Sequence, residues 1–512
     1  MKKSKGGINI NNKKIVAIGI GYVDILFHSL ISFILTPLMI SIWGDASYGV
    51  YKIVLSFMTY FLLIDSGIRN TVIRFVSEYR ATNDRENERR YIATVTSYYF
   101  IAALILCGIV SVLYRFIPTI YSKSLTVEEI NIVQKALPWL TLYTVATLFY
   151  NCFSALLRGH NKQITIQGVN ILRTTVRFLF VYLALNSGVD VVYVIGLDAI
   201  IAVAFAMAVL TYVFLGMKLP PKFKGIDKSF IKKIVDFTTV MLLLTVADSL
   251  FWSTGTFLVG VMTSSVMVAI YTTAITLTNI FQSLIANVSH VLVPDIMVKS
   301  IKSDNMAEMN EMMIKIGNIK SYIMLPIIIG FLIFGNDFVR LWVGDGYTGT
   351  WVVAAIIMSV LYWGLVQDVP NNYVLAKNKH KKLALVTLIC SLINIAGSVF
   401  LIKLYGIYGA AMGTAISYFV VNFVYKCQWF TKAFGFNMRR LYGELLLKKL
   451  GWLILLAVIG VFIQYVSLIC NLTGWIFFIT KIIVFCVFYV LVLIYCILGK
   501  EERAKLMKKL RR

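Results

Sequence analysis

Apolar segments of about 20 residues or more recur along the whole chain, and each is long enough to cross a bilayer as a helix. They are too long and too uniformly apolar to be the alternating strands of a membrane barrel. The chain is therefore predicted to be an all-α polytopic membrane protein. Fourteen transmembrane helices are predicted, near residues 15–43, 49–68, 91–117, 133–157, 164–186, 190–215, 234–259, 265–290, 313–334, 350–368, 383–404, 407–430, 450–470 and 474–499.

Composition and charge support this class and exclude others. Of the 512 residues, 59% are hydrophobic and 14% are charged, whereas about a quarter of a soluble domain is charged. A net charge of +25 would suggest nucleic acid binding in a soluble protein, but in a membrane protein it indicates cytoplasmic loops. No nucleic acid partner is expected. The seven cysteines form no CxxC pair, so no metal site or disulfide framework is expected.

The distribution of basic residues predicts the orientation. If the N-terminus is cytoplasmic, forty of the 49 Lys and Arg residues fall in or beside inward-facing segments, and four in or beside outward-facing ones. This asymmetry obeys the positive-inside rule. Both termini, including the basic tail, are therefore predicted to be cytoplasmic. Lys481, in the last span, is expected to extend its ammonium group to the membrane interface.

The chain also contains an internal repeat. SYGVYKIV (47–54) resembles VMVAIYTT (266–273), and LLRGHNKQ (156–163) resembles LAKNKHKK (375–382), at an offset of about 219 to 220 residues. Because the repeat contains an even number of spans, its two copies should be related by an axis along the membrane normal. The predicted organisation is a six-helix half at 1–217, a second at 218–430, and two extra transmembrane helices with a basic cytoplasmic tail at 431–512.

Two stretches resemble motifs of a known family. The stretch YGVYKIVLSFMTYFLLIDSGIRNTVIRFVSEY (48–79) has the tyrosine–glycine start and the turn, here IDSG, of that family's second helix. In the stretch from Asn372 through 377–419, as in that family, an asparagine of the eleventh helix is followed by the pattern YG--GAA--T. The chain thus resembles the polysaccharide flippases of the multidrug/oligosaccharidyl-lipid/polysaccharide exporter superfamily. The matching residues of the second stretch are Asn394, Tyr405, Gly406, Gly409, Ala410, Ala411 and Thr414.

The resemblance implies a function and a location. Such flippases move undecaprenyl-pyrophosphate-linked oligosaccharide to the outer leaflet of the bacterial cytoplasmic membrane, for O-antigen, capsule or exopolysaccharide assembly. They work by alternating access, hydrolyse nothing and have cationic cavities. The expected partners are the polyprenyl-linked oligosaccharide, membrane lipid and a downstream glycan polymerase. No cofactor is expected, although transport could be coupled to an H⁺ or Na⁺ gradient.

Arg173 and Arg177 are the strongest candidates for substrate binding. They lie in the middle of the fifth predicted span, where a charge is costly, and a spacing of four puts them on one helical face. The repeat has Leu392 and Ala396 at the equivalent positions, so packing does not require charge there. Planar guanidinium groups suit phosphate oxygens, which predicts a pyrophosphate site. Ion pairing with acidic residues of neighbouring helices is the alternative.

The neighbouring spans offer candidate partners for these arginines. Asp24, His28 and Asp248 are at similar predicted depth, and each is a candidate for ion pairing or for coupling to H⁺ or Na⁺. Asp198, in the sixth span, is a further possible ion-pair partner.

The sequence is also compatible with other functions. A cation or drug antiporter of the same superfamily is one alternative, although central arginines would repel a cationic drug. A peptidoglycan-precursor flippase is another, because its substrate also carries pyrophosphate. An enzyme is disfavoured: the sequence contains no P-loop, no metal-ligand spacing and no dinucleotide-binding turn, so no catalytic residue is assigned.

Overall fold

The computed structural model describes residues 12–223, 228–302, 305–377, 379–470 and 473–494. Every regular element in these ranges is a helix, which confirms the all-α prediction. The basic tail at 501–512 lies outside the described residues. Within these ranges, the structure describes the helical backbone but not the side chains of residues 12–26, 64, 66–67, 70, 228–244, 287–288, 290–295, 297–302 and 380–381.

The chain divides into two compact units, Met1–Ala269 and Ile270–Arg512. The seventeen helices in the described ranges are α1 (Asn12–Phe61), α2 (Leu63–Ala81), α3 (Arg85–Tyr121), α4 (Val127–Gly159), α5 (Gln163–Asn186), α6 (Val191–Thr211), α7 (Lys228–Met262), α8 (Ser265–Lys302), α9 (Met306–Val343), α10 (Thr348–Leu365), α11 (Asp368–Ala376), α12 (His380–Tyr405), α13 (Ile407–Phe419), α14 (Lys426–Phe434), α15 (Met438–Leu445), α16 (Leu450–Ile469) and α17 (Trp475–Val492). Short π-helical segments follow α6 and α13, at Tyr212–Gly216 and Val420–Tyr425.

Each of the fourteen predicted spans overlaps a helix in the described part of the chain, and residues 495–499 of the last span lie outside that part. Twelve helical segments among the described residues are long and apolar enough to cross a membrane. One of them, Phe27–Phe61, contains parts of two predicted spans, because Gly44 interrupts α1 with φ of 76° and ψ of 168°. A continuous helix of 50 residues would be about 75 Å long, far more than one bilayer needs. The break at Gly44 therefore lies between the first and second spans.

The repeat seen in the sequence recurs in the positions of the helices. Helix α5 begins at Gln163 and α12 at His380, which is 217 residues later. Helix α6 begins at Val191 and α13 at Ile407, an offset of 216. The two six-helix halves defined from the sequence remain a prediction about domain boundaries.

In the first unit, the tyrosine–glycine start of the second span marks a close helix contact. Tyr48 is fully buried, and a Cβ atom placed on Gly49 would lie 1.8 Å from the carbonyl oxygen of Ser265. The second half of α1 therefore touches the first turn of α8, backbone against backbone. Only glycine permits this approach, which explains the motif in structural terms.

In the second unit, the YG--GAA--T stretch serves the same purpose. The chain turns between α12 and α13 at Gly406, and a Cβ atom on Gly413 would lie 2.3 Å from Oγ of Ser398. Small residues thus let α12 and α13 pack closely. Asn394 is 2% exposed, and its Oδ1 accepts hydrogen bonds from Ser398 at 2.9 Å and Thr414 at 3.3 Å.

The last two transmembrane helices are attached to α9 by a polar cluster and an aromatic one. Lys481 is 8% exposed, and its Nζ lies 2.6 Å from Oδ2 of Asp337. An acidic partner on α9 therefore holds Lys481, and the position of its ammonium group at the membrane interface stays a prediction. Nearby, Phe334 of α9 packs against Phe485 of α17 and Leu456 of α16.

We predict that Gly49→Ala destabilises the protein, because its new methyl group cannot fit against the backbone at Ser265. The expected loss is at least about 2 kcal/mol of unfolding free energy. It should appear as a lower midpoint of thermal unfolding in detergent, followed by tryptophan fluorescence. Gly108→Ala is the matched control, since a Cβ atom there meets nothing within 4 Å. Equal midpoints for the two variants would contradict the close contact.

Candidate functional site

The two arginines lie halfway along α5. Counted from Gln163, Arg173 is about 15 Å and Arg177 about 21 Å along a helix about 36 Å long. Helix α5 packs against α1, α4 and α6 in the first unit. Both side chains are partly exposed, so each guanidinium group has protein on one side and accessible space on the other.

Arg177 forms a two-pronged ion pair with Asp198 of α6. Its Nε lies 2.7 Å from Oδ1 and its Nη2 lies 2.9 Å from Oδ2. The side chain of Asp198 is 2% exposed, whereas that of Arg177 is 30% exposed. Parallel hydrogen bonds of this kind fix both the position and the plane of the guanidinium group. Of the candidate ion-pair partners, the structure brings Asp198 to Arg177.

A tyrosine completes the surroundings of this pair. The Arg177 Nη2 also donates to the hydroxyl oxygen of Tyr51 at 3.1 Å, and Tyr51 is 2% exposed. The ring of Tyr51 packs against Trp43, whose Nε1 donates to the carbonyl oxygen of Val189 at 2.8 Å. Arg177 therefore links α5 to α6 and to the second half of α1. Tyr51 belongs to the YGVY start of the second span, but its contact with Arg177 was not predicted from the sequence.

Arg173 has different surroundings. Its guanidinium carbon lies 4.8 Å from the centre of the Tyr150 ring, and the Tyr150 hydroxyl donates to Oδ1 of Asn170 at 2.5 Å. Tyr143 lies near both arginines. No carboxylate in the described part of the chain pairs with Arg173. The two arginines thus differ: Arg177 has an anionic partner, while Arg173 rests on an aromatic face.

The structure describes two of the three coupling candidates. The side chain of Asp24 lies outside the described residues. His28 in α1 and Asp248 in α7 are both exposed. Neither forms part of the contacts found around Arg173 and Arg177. A role for Asp24, His28 or Asp248 in coupling stays a prediction.

Asp65 is a further buried acid of the first unit and lies just after the break between α1 and α2. It is fully buried and accepts hydrogen bonds from Tyr99, from Arg69 at 2.6 Å and from Asn151 at 2.8 Å. Three donors satisfy a buried carboxylate, as its desolvation requires. These contacts tie α2 to α3 and α4.

The second unit has its own buried charge. Lys320 of α9 is fully buried; its Nζ lies 2.5 Å from Oδ2 of Asp368 and donates to the carbonyl oxygen of Leu365 at 2.6 Å. This pair joins α9 to the junction between α10 and α11. No group of three or more potential metal ligands occurs among the described residues.

Comparison with solved structures identifies the fold. The fold is similar to lipid II flippase MurJ in an inward closed conformation, with a TM-score of 0.70 and 12% identity, over 93% of this chain and 97% of that chain. It is also similar to an inward-facing multidrug resistance MATE family transporter (TM-score 0.63, 12% identity, 78% and 92% coverage). A MOP superfamily transporter from Pyrococcus furiosus gives a TM-score of 0.56 at 11% identity, with 80% and 95% coverage. The fold is that of MOP superfamily transporters.

The sequence identifies the family within this class. The profile of the family described as polysaccharide biosynthesis protein matches residues 19–300, more than half of the chain. The chain therefore belongs to the polysaccharide biosynthesis protein family, which confirms the resemblance found in its motifs. No curated protein matches the sequence at a significant level.

We predict that Asp198→Asn lowers stability by about 2–3 kcal/mol, because it leaves the Arg177 charge without its partner. The measurement is the midpoint of thermal unfolding in detergent. Asp345→Asn is the control, since it removes the partner of Arg340 in an ion pair whose side chains are 53% and 81% exposed. Exposed pairs contribute little, so the control should unfold at the wild-type midpoint. A normal midpoint for Asp198→Asn would show that the pair contributes nothing to stability.

Proposed function

We propose that the protein is a flippase for polyprenyl-pyrophosphate-linked oligosaccharide. It would move this lipid across the bacterial cytoplasmic membrane by alternating access, for assembly of a surface polysaccharide such as O-antigen, capsule or exopolysaccharide. The observation that carries the proposal is the arginine pair halfway along α5, of which Arg173 has no carboxylate partner among the described residues. Family membership supports the polysaccharide class of the substrate.

The surroundings of Arg173 suit transient binding of pyrophosphate. A cation over an aromatic ring gains about 0.5–2 kcal/mol. A hydrogen bond between charged partners contributes about 1.5–3 kcal/mol, and a guanidinium group can form two of them with phosphate oxygens. Exchange of the Tyr150 ring for phosphate is therefore favourable. The ring holds the guanidinium group in place while the site is empty, so little ordering is needed when the substrate binds.

Arg177 would add a second positive charge one helical turn away. Its pair with Asp198 leaves the 30% exposed guanidinium group partly available to an incoming anion. The pyrophosphate would either share Arg177 with Asp198 or displace the carboxylate. Asp24, His28 and Asp248 are the candidates for coupling to H⁺ or Na⁺.

A peptidoglycan-precursor flippase is the second candidate. It is favoured by the extent of the structural match, which includes 93% of this chain for lipid II flippase MurJ but 78% for the multidrug transporter. Both lipid substrates carry pyrophosphate, so the arginines suit either. A cation antiporter is less compatible with the site, because Arg173 presents a positive charge to the ligand. No covalent chemistry is part of the proposal, and a downstream glycan polymerase would use the product.

We predict that deletion of the gene, in a strain with an intact synthesis pathway, causes polyprenyl-pyrophosphate oligosaccharide to accumulate. The lipid should be protected from glycosidase added to the periplasm, because it stays in the inner leaflet. The wild-type gene should restore transport, and Arg173→Gln should reduce it about a hundredfold, given the loss of two charge-assisted hydrogen bonds. Lipid extraction with mass spectrometry measures the accumulated species.

Arg115→Gln is the matched control, because it removes an exposed arginine of α3 and should leave transport unchanged. The abundance and thermal midpoint of each variant must match the wild type, which Arg173→Gln allows because it breaks no ion pair among the described residues. Accumulation of a peptidoglycan precursor instead would favour the second candidate. If no lipid-linked glycan accumulates and sensitivity to cationic drugs rises, the flippase proposal fails.

A further inference from the structure

A cavity lies in the second unit, far along the sequence from the arginines. It is open to the surface, has a volume of about 1060 Å³ and is lined by the end of α10, the π-helical segment Val420–Tyr425, α14 and α15. Hereafter it is called the α15 pocket. Ligand cavities in proteins are typically about 300–1,000 Å³, so the volume suits an organic molecule rather than a single ion.

Three aromatic rings form the floor of the α15 pocket. The centre of the Trp363 ring lies 4.5 Å from that of Phe423 and 5.2 Å from that of Tyr442. The Tyr442 hydroxyl donates to the carbonyl oxygen of Trp363 at 2.8 Å and accepts from Nε2 of Gln367 at 2.7 Å. These hydrogen bonds hold the rings in place. Trp363 and Phe423 are partly exposed and Tyr442 is 9% exposed, so the floor is a preformed apolar surface that is partly accessible from the cavity.

Backbone features keep the pocket open. The segment Val420–Tyr425 is π-helical, which departs from the α-helical register and is frequent at functional sites. Gly443 of α15 also lines the cavity, and a Cβ atom there would meet nothing within 4 Å. A larger residue would fit at position 443 but would occupy the space.

The rim of the pocket is basic. Lys432 and Arg439 both line it and are exposed. In the described part of the chain neither side chain has a carboxylate partner. Arg440, the next residue along, instead pairs with Glu311 at 2.6 Å. The pocket thus combines an apolar floor with two unneutralised positive charges at its edge.

The position of α15 relates this pocket to the membrane interface. It follows the candidate span that ends at Phe434 and forms the first part of the next one, Met438–Ile469, directly before α16. Helix α15 buries Met438, Leu441 and Leu445 and exposes Arg439 and Arg440. Because this segment of 32 residues is longer than the roughly 20 that a span needs, its short amphipathic first part is expected at the level of the lipid headgroups. The positive-inside rule places this side in the cytoplasm, where the leaflet carries anionic lipid.

We propose that the α15 pocket binds an anionic glycerophospholipid from the cytoplasmic leaflet. An acyl chain would lie on the floor formed by Trp363, Phe423 and Tyr442, and the phosphate would lie between Lys432 and Arg439. Basic pockets beside transmembrane helices bind anionic lipids in this manner. A free phosphate would leave the aromatic floor exposed to water, whereas a neutral lipid would leave both cations unpaired. The bound lipid is a constituent of the membrane and is distinct from the transported substrate.

The test is titration of the purified full-length protein in detergent with phosphatidylglycerol, followed by native mass spectrometry and by the thermal midpoint. We expect saturable binding with a higher midpoint, and no such effect from phosphatidylcholine or glycerol phosphate. The double variant Lys432→Gln with Arg439→Gln should weaken binding about thirtyfold. Arg440→Gln is its control, because Arg440 does not line the pocket, and it should bind as the wild type does.

A second pair of variants tests whether an acyl chain occupies the apolar part of the α15 pocket. Gly443→Leu should fill the cavity and abolish saturable binding without loss of folding, since leucine also favours a helix over glycine. Gly451→Leu is its control, because a Cβ atom there also meets nothing within 4 Å and residue 451 does not line the pocket. Equal binding of both lipids, or binding of glycerol phosphate that depends on Lys432 and Arg439, would overturn the proposal. So would unchanged binding in Gly443→Leu.

Discussion

The ion pair between Arg177 and Asp198 is the interaction on which the arrangement of the candidate site depends. A charge within a membrane-spanning helix costs at least a few kcal/mol unless it is paired or solvated. The pair meets this requirement by joining α5 to α6 through two parallel hydrogen bonds. It thereby fixes the rotation of α5 about its own axis. Arg173, one turn away on the same face, is directed to the ring of Tyr150 as a consequence.

The residues that identify the family differ from the residues proposed to bind the substrate. The motifs that identify the family contain glycines that permit close helix contacts, at Gly49 against Ser265 and at Gly413 against Ser398. These contacts determine packing and would suit any cargo. Arg173 and Arg177 lie outside both motif stretches. The fold can therefore be shared with multidrug transporters, while the charge on α5 supports the proposal of an anionic head group.

Buried charge in both units follows one physical rule. Asp65 has three donors, Lys320 has a carboxylate and a carbonyl oxygen, and Lys481 has Asp337. Each joins helices that are separated in sequence, since a charge removed from water requires a partner. In the arginine site, Arg173 is partly exposed and has no carboxylate partner in the described part of the chain; it rests on the Tyr150 ring and lies beside Tyr143. This difference separates a binding candidate from the structural ion pairs.

Sequence alone determined the all-helical class, the positions of fourteen spans, the repeat and the presence of charge halfway along α5. These features follow from hydropathy, residue spacing and helix geometry, all of which are local properties of the chain. Tertiary structure decided that Arg177 pairs with Asp198, that Arg173 faces Tyr150 and that Lys481 is buried against Asp337. Hydropathy gives the depth of a residue but not the rotation of its helix or the identity of its neighbours. Partners on other helices therefore become known only when the helices have packed.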